Sequence, residues 1–516
     1  MKASRIFVAG AALFVTLICW SLSSPINSHA DERYYIGSIW CANGYDENCL
    51  PLGRTKDNIE VASVKLGLCT PFGIEENYKR VLVDQNEAQC RYKTRNNDSL
   101  ADFKSSINNQ IESNNYVGTD FNQINHPVYY QKFMNVFVTE NGALSVVLMR
   151  IFNSFIFSLL FTVLLLLGPK EVKQSMIISF LLIAVPFTLF QIASINPSSW
   201  AIIGCSFSWA YMYSFIRQRK ENRLKLLLLT LGWIISVAMT FSARHDAKIF
   251  IIFTNFCVLL FFLSQFVTKE VKKISLASLS FFAIAILIIT RQNSQVLKNI
   301  SFINTDTFFD VNNQFLAIGG TIKVLIATPL RILGYESLGW LGTFVPIVVV
   351  ISGLLIGGGF LLNLLSKINK QQVVALTIFF GFSFLIVYSQ IFGQLNTFPP
   401  FYLIRTAWRG DTFFSVRYFV PLVIFYVATL VLLSNKSNVF LLKNISYVIL
   451  NLLPFTHAVS LITVGKIFRE NPTWYWVNFP FSINSIAIIG SISFFLLINL
   501  LFLSFPHTQQ AFSMKR

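Results

Sequence analysis

The stretch "RIFVAGAALFVTLICWSLSSPINSHADERYYIGSIWC", residues 5–41, sets the terms on which the whole chain is read. Residues 5–24 are apolar for about the 20 positions that a helix needs to cross the hydrocarbon core of a bilayer. Immediately beyond that run stand Asp31 and Glu32, then Tyr34, Tyr35 and Trp40. In isolation an acidic pair of this kind is an ordinary solvated turn. At the end of a membrane span it lies at the bilayer surface, beside any lipid the chain handles. "MKASR", the apolar core and "NSHA" also fit a signal peptide, and on either reading residue 31 faces outward.

Composition supports the membrane reading. The 516 residues are 54% hydrophobic, 15% aromatic and 13% charged, with mean hydropathy +0.58. Soluble domains carry about 25% charged residues. The formal net charge of +17 follows from Lys and Arg collecting in cytoplasmic connectors rather than from a nucleic-acid surface. Basic residues are not interleaved with aromatics on any soluble face, so no nucleic-acid partner is expected.

Apolar runs predict spans near 5–24, 143–167, 175–193, 198–216, 224–241, 249–266, 276–290, 343–365, 372–392, 414–433, 440–464 and 483–505. This makes an all-α polytopic protein of about twelve transmembrane helices, since only self-satisfied backbone can cross lipid. It divides into a first helix (1–24), a first external loop (25–142) and a multi-helix transmembrane domain (143–516). The connectors "PKEVK" (169–173), "RQRKENRLK" (217–225), "KEVKK" (269–273), "KINK" (367–370) and "NKSN" (435–438) all fall after even-numbered crossings. Both termini are therefore expected in the cytoplasm, with the functional face of the membrane outside. Residues 311–333 are too interrupted for a span and are expected to form an external re-entrant or interfacial segment.

Four cysteines, Cys41, Cys49, Cys69 and Cys90, lie in the first loop. An even number in an oxidising compartment predicts two disulfides, and four cysteines allow three pairings. No CxxC or His–Cys spacing supports a zinc site. In the same loop, Leu100, Phe103, Ile107 and Ile111 recur at helical spacing, as do Tyr129, Tyr130, Phe133, Met134 and Phe137 after Pro127. Such stripes in a loop beside the bilayer predict helices lying in the interface.

Polar residues gather at the outward ends of the spans. Asp31, Glu32, Tyr35, His126 and Tyr130 come from the first loop, and Asn196 from "SINPSSW" (194–200). Arg244, His245 and Asp246 come from "SARHDAK" (242–248), and Arg409 and Arg417 from "RTAWRGDTFFSVRYFVP" (405–421). Arginine binds phosphate bidentately and stays charged, and a carboxylate can serve as a general base. Solvated turns, local ion pairs and headgroup anchoring are the plainer explanations for each group alone. Their joint placement on one face suits a lipid phosphate substrate. Ionisable residues inside the spans are few, namely Arg150 and Lys443 near predicted ends and His457 deeper.

At this point the residues resemble a family. "PINSHADERYYIGSIWCANG", "NHPVYY", "SINPSSWAIIG", "ARHDAKIF", "ESLGWLGTF" and "RGDTFFSVRYFVPL" occur in an order similar to that of the bacterial domain-of-unknown-function 2142 membrane proteins, over roughly 25–433. That family is similar to the GT-C glycosyltransferases, polytopic enzymes that take a sugar from a polyprenyl phosphate or pyrophosphate outside the membrane. The resemblance implies a GT-C-like fold and an acidic catalytic base in the first external loop, here Asp31 with Glu32 beside it. It further implies a polyprenyl-phosphate sugar donor and a cell-envelope glycan, lipid or protein acceptor. The chain departs from the family where a histidine commonly follows the acidic pair; Tyr34 and Tyr35 stand there instead. A divalent cation, Mg or Mn, is compatible with an acid pair facing a phosphate but is not required. The alternatives are a flippase for lipid-linked glycans, a polysaccharide polymerase or ligase, and a non-catalytic envelope protein.

Overall fold

Apolar helical runs dominate the computed structural model, which describes residues 2–24, 32–44, 49–54, 60–64, 83–84, 128–266, 311–330, 346–366, 368–395, 419–434, 452–464 and 482–502. Helix α1 spans Ala3–Ser23 and α2 spans Glu32–Trp40. Three short strands follow: β1 Cys49–Arg54, β2 Glu60–Val64 and β3 Val83–Asp84. β1 and β2 pair antiparallel, and β3 joins β2 in parallel. The remaining helices are α3 (Val128–Asn135), α4 (Gly142–Leu167), α5 (Lys170–Ile183), α6 (Pro186–Ile192), α7 (Pro197–Arg217), α8 (Arg223–Ala243) and α9 (His245–Phe266). Beyond these come α10 (Val311–Leu330), α11 (Ile347–Ser366), α12 (Lys370–Leu395), α13 (Val420–Leu432), α14 (Leu452–Val464) and α15 (Ile483–Phe502).

Among the described residues, five helices are long and apolar enough to cross a membrane, or six if the bent pair α5–α6 counts as one span. The chain is a membrane protein with several apolar helices; the count of twelve exceeds what these helices establish, and the expected span 276–290 lies outside the described residues. Helix α7 shows one reason for the shortfall. It is buried along almost its whole length, so its neighbours are protein rather than lipid, and it carries serines, tyrosines and tryptophans that lower its hydropathy. Two of its polar groups pair with neighbouring helices: the Tyr211 hydroxyl donates to the Leu160 carbonyl at 2.8 Å, and Asn255 of α9 donates to Ser208 at 3.2 Å.

Close approach of backbones holds the centre together, as expected where lipid supplies no hydrophobic drive between helices. A Cβ added to Gly204 of α7 would meet Thr240 Oγ1 of α8 at 1.9 Å and the Ser236 carbonyl at 2.3 Å. Helix α1 runs antiparallel to α4, with Gly10 against Thr162 and the Ser21 and Ser154 hydroxyls 3.2 Å apart. Phe253 stacks on Phe382 at 3.6 Å and Phe379 on Tyr426 at 4.2 Å, joining α9, α12 and α13.

One expectation is corrected here. The run 175–193 is not one straight helix: α5 and α6 meet at 106°. Pro186 lacks an N–H and disfavours helical backbone at Val185, which is extended at φ −81°, ψ 159°. Helix α5, 14 residues long, rises only about 21 Å before the break. Within 311–333, helix α10 packs on α12, and it is not among the helices long and apolar enough to cross a membrane.

The carbonyl freed at the break, Ala184 O, is met by His457 Nε2 at 2.8 Å, while Trp20 Nε1 lies 3.2 Å from His457 Nδ1. An indole N–H can only donate, so Nδ1 is the bare acceptor and Nε2 carries the proton given to Ala184. This network ties α1, α14 and the α5–α6 break together. Trp20→Phe retains the ring but leaves Nδ1 without a donor, and is expected to lower stability by about 1–3 kcal/mol in thermal unfolding. An unchanged midpoint would show that the bond contributes nothing.

Among the described residues, three of the basic connectors gather at one end. Arg217 lies 3.6 Å from Glu171, joining the 169–173 and 217–225 connectors. Ser175 donates to the Ala428 carbonyl, and Asn369 Nδ2 to the Leu433 carbonyl at 2.8 Å, which brings the 367–370 connector and the end of α13 to the same side.

Candidate functional site

The opposite end of the bundle is built from the last turn of α1, helices α2 and α3, the first turns of α4, the 193–196 turn with the start of α7, and the α8–α9 junction. Helix α2 corrects the solvated-turn reading for Glu32. Glu32 is its first residue, where a carboxylate complements the helix dipole, and it is fully buried. Ile36, Ile39 and Trp40 bury the same helix against the bundle.

Glu32 faces Arg150 of α4, also fully buried. Arg150 Nη2 lies 2.8 Å from each Glu32 oxygen and Nε lies 3.2 Å from Oε1, a bidentate, charge-assisted pair. Arg150 Nη1 donates to the Ser21 carbonyl at 3.1 Å and to the Ser24 carbonyl. One turn along α4, Asn153 donates to the Ser194 carbonyl at 2.6 Å and accepts from Trp200 Nε1 at 2.8 Å.

A helix, α3, forms over the Tyr129–Met134 stripe as its spacing predicted. Tyr130 and Met134 are buried, whereas Tyr129 is 74% and Phe133 43% exposed. The Tyr130 hydroxyl donates to the Ile195 carbonyl, and its ring stands edge-on to Trp200 at 4.9 Å. Burial, reinforced by Tyr35 and by the charge of Glu32, pushes the Tyr130 phenol well above its ordinary value, against an opposing hydrogen bond with Asn153. Tyr130 is thus a neutral donor that fixes α3 to the turn. Tyr35 is buried on α2 nearby.

Asn196 caps α7: its Oδ1 accepts from the Ser198 backbone N–H at 2.8 Å. Arg244, half-buried and extended between α8 and α9, donates from Nη1 to Ser198 Oγ at 3.0 Å. A guanidinium beside a helix N-terminus is an electrostatic setting that favours an anion. His245 and Asp246 are the first two residues of α9. Asp31, His126, Arg409 and Arg417 lie outside the described residues, as do the second loop stripe at 100–111 and the cysteines Cys69 and Cys90. Among the described residues the free thiols are Cys19, Cys205 and Cys257, all within helices, and no three His, Cys, Asp or Glu side chains gather into a metal-sized group.

The structure thus brings Glu32, Tyr35, Tyr130, Asn196 and Arg244 to one end. It adds Arg150, Asn153, Ser198 and Trp200, which the sequence reading did not place in a site. The signal for Arg150 was present: an arginine within an apolar run needs a buried partner.

A family model described as "Predicted membrane protein (DUF2142)" matches residues 13–426 of the chain. The chain belongs to that family. Its matched region runs from the second half of α1 to the middle of α13, and so includes every residue of the end just described. No curated protein and no solved structure matches the chain.

Proposed function

We propose that this family member is a membrane glycosyltransferase of the GT-C type, moving a sugar from a polyprenyl-phosphate or pyrophosphate donor to a cell-envelope acceptor. The observation that carries the reading is that Glu32, Arg244 and the α7 N-terminus lie at one end of the bundle, opposite the described basic connectors. By the positive-inside bias that end is external, and the termini are cytoplasmic. The division into a first helix, an external loop and a transmembrane domain belongs to the same proposal. So do the loop disulfides, in favour of which Cys41 is absent from the free thiols.

In this reading Asp31 takes the proton of an acceptor hydroxyl as it attacks the anomeric carbon, and the bond to the lipid phosphate breaks with inversion. Arg244, with Arg409 and Arg417, stabilises the departing phosphate, through charges already oriented before the reaction. His126, His245, Asp246 and Tyr35 are the further substrate-binding candidates in this reading. A divalent cation bridging Asp31 and Glu32 does not fit, because the Arg150 guanidinium already engages both Glu32 oxygens.

The test is transfer by the purified protein from a labelled polyprenyl-phosphate sugar. Arg244→Ala is expected to raise the donor KM roughly 10–100-fold, the equivalent of losing one charge-assisted hydrogen bond. A KM that stays at the wild-type value removes Arg244 from the donor site. Movement of the intact lipid-linked sugar across a vesicle membrane, with no transfer, would favour a flippase instead.

A further inference from the structure

Arg150 has no donor left for a substrate. A guanidinium carries five N–H groups. One from Nε and two from Nη2 go to Glu32, and those of Nη1 go to the Ser21 and Ser24 carbonyls. Ser21 and Ser24 belong to the C-terminal end of α1, where carbonyls lack partners within the helix. Glu32 is the first residue of α2. One buried side chain therefore grips the chain on both sides of residues 25–31, the connector that carries Asp31.

We propose that Arg150 is a positioning residue that staples the end of α1 to the start of α2, and that Glu32 is its structural counter-ion rather than a second base. A carboxylate held bidentately by a guanidinium keeps its charge and gives up basicity, so it is poorly suited to accept a proton during turnover. Lysine cannot replace Arg150, because its three donors radiate from one point and cannot reach a carboxylate and two carbonyls in a plane. The catalytic consequence rests on the proposed glycosyl transfer; the stapling itself does not.

The experiment compares the full-length wild type, Arg150→Met, Arg150→Lys and the double variant Glu32→Leu with Arg150→Met, each in lipid nanodiscs. Arg150→Met alone strands a buried carboxylate and is expected to lose folded yield. The double variant removes both charges and should recover most of that yield. Its two anchor points are nevertheless released: amide hydrogen exchange over residues 21–24 and 32–36 rises. Turnover per folded molecule falls roughly 100-fold, the scale of a 1 Å misplacement, with the donor KM unchanged. Should the double variant not fold, Arg150→Lys supplies the same exchange comparison. Wild-type exchange in the folded variants overturns the staple, whether or not the wild type transfers sugar. Raised exchange with a wild type that transfers nothing upholds the staple and sinks the transferase reading.

Discussion

Asp31→Asn is expected to lower turnover by roughly 10²–10⁴-fold, the contribution of one positioned proton acceptor, while folded yield and donor KM stay at wild-type values. An amide has the size of the carboxylate and can still accept a hydrogen bond, but it cannot hold the acceptor's proton at neutral pH. Glu32→Gln is expected to behave in the opposite way. Its side chain is fully buried against Arg150, and neutralising it leaves a guanidinium in the protein interior with a weakened partner. Breaking one side of a buried pair costs about 3–5 kcal/mol, so the first quantity to change is the unfolding midpoint. Two neighbours in sequence thus separate into different readouts, one kinetic and one thermodynamic. If Glu32→Gln left the midpoint intact and abolished turnover, the roles assigned to the pair would be reversed.

Gly204→Leu is expected to be the most damaging single substitution within the bundle. A bare Cβ there already falls 2.3 Å from the Ser236 carbonyl of α8, and that oxygen belongs to helix backbone, which cannot rotate aside. Helices α7 and α8 must part. Overpacking of this kind costs about 1–3 kcal/mol when side chains can adjust, and more when backbone must move. The same displacement carries Arg244, at the end of α8, away from Ser198 on α7, at present 3.0 Å apart. Folded yield in detergent is therefore expected to fall sharply, and the fraction that folds should show a raised donor KM. A variant with the wild-type midpoint would mean that α7 and α8 do not approach at Gly204.

Much of the bundle was legible in the sequence because lipid imposes one strong rule, a long apolar run with its backbone satisfied internally. Helices α1, α4, α8, α12 and α15 follow from that rule alone. The stripe at Tyr130 and Met134 likewise gave the buried face of α3. Where the reading went astray, tertiary contacts decided. Pro186 stood in plain view within 175–193, but proline is tolerated in many membrane helices, and only packing of Ala184 against His457 shows that this one turns the chain through 106°. Glu32 looked like part of a solvated turn because its partner is 118 residues away. No local pattern links the two. Arg150 was set aside for lying near a predicted span end, although a charge with no nearby counter-charge on its own helix had to find one elsewhere.

The central claim is chemical transfer at the end opposite the basic connectors, and the most direct measurement follows the fate of a doubly labelled donor. Proteoliposomes of known protein orientation receive a polyprenyl-phosphate sugar, labelled in both sugar and lipid, on one face together with acceptor. With the 194–200 turn on that face, the account predicts that the sugar label moves to the acceptor and free lipid phosphate accumulates; with the connectors there, neither happens. Sugar and lipid labels that stay joined in both orientations, in protein shown to be folded, would contradict it.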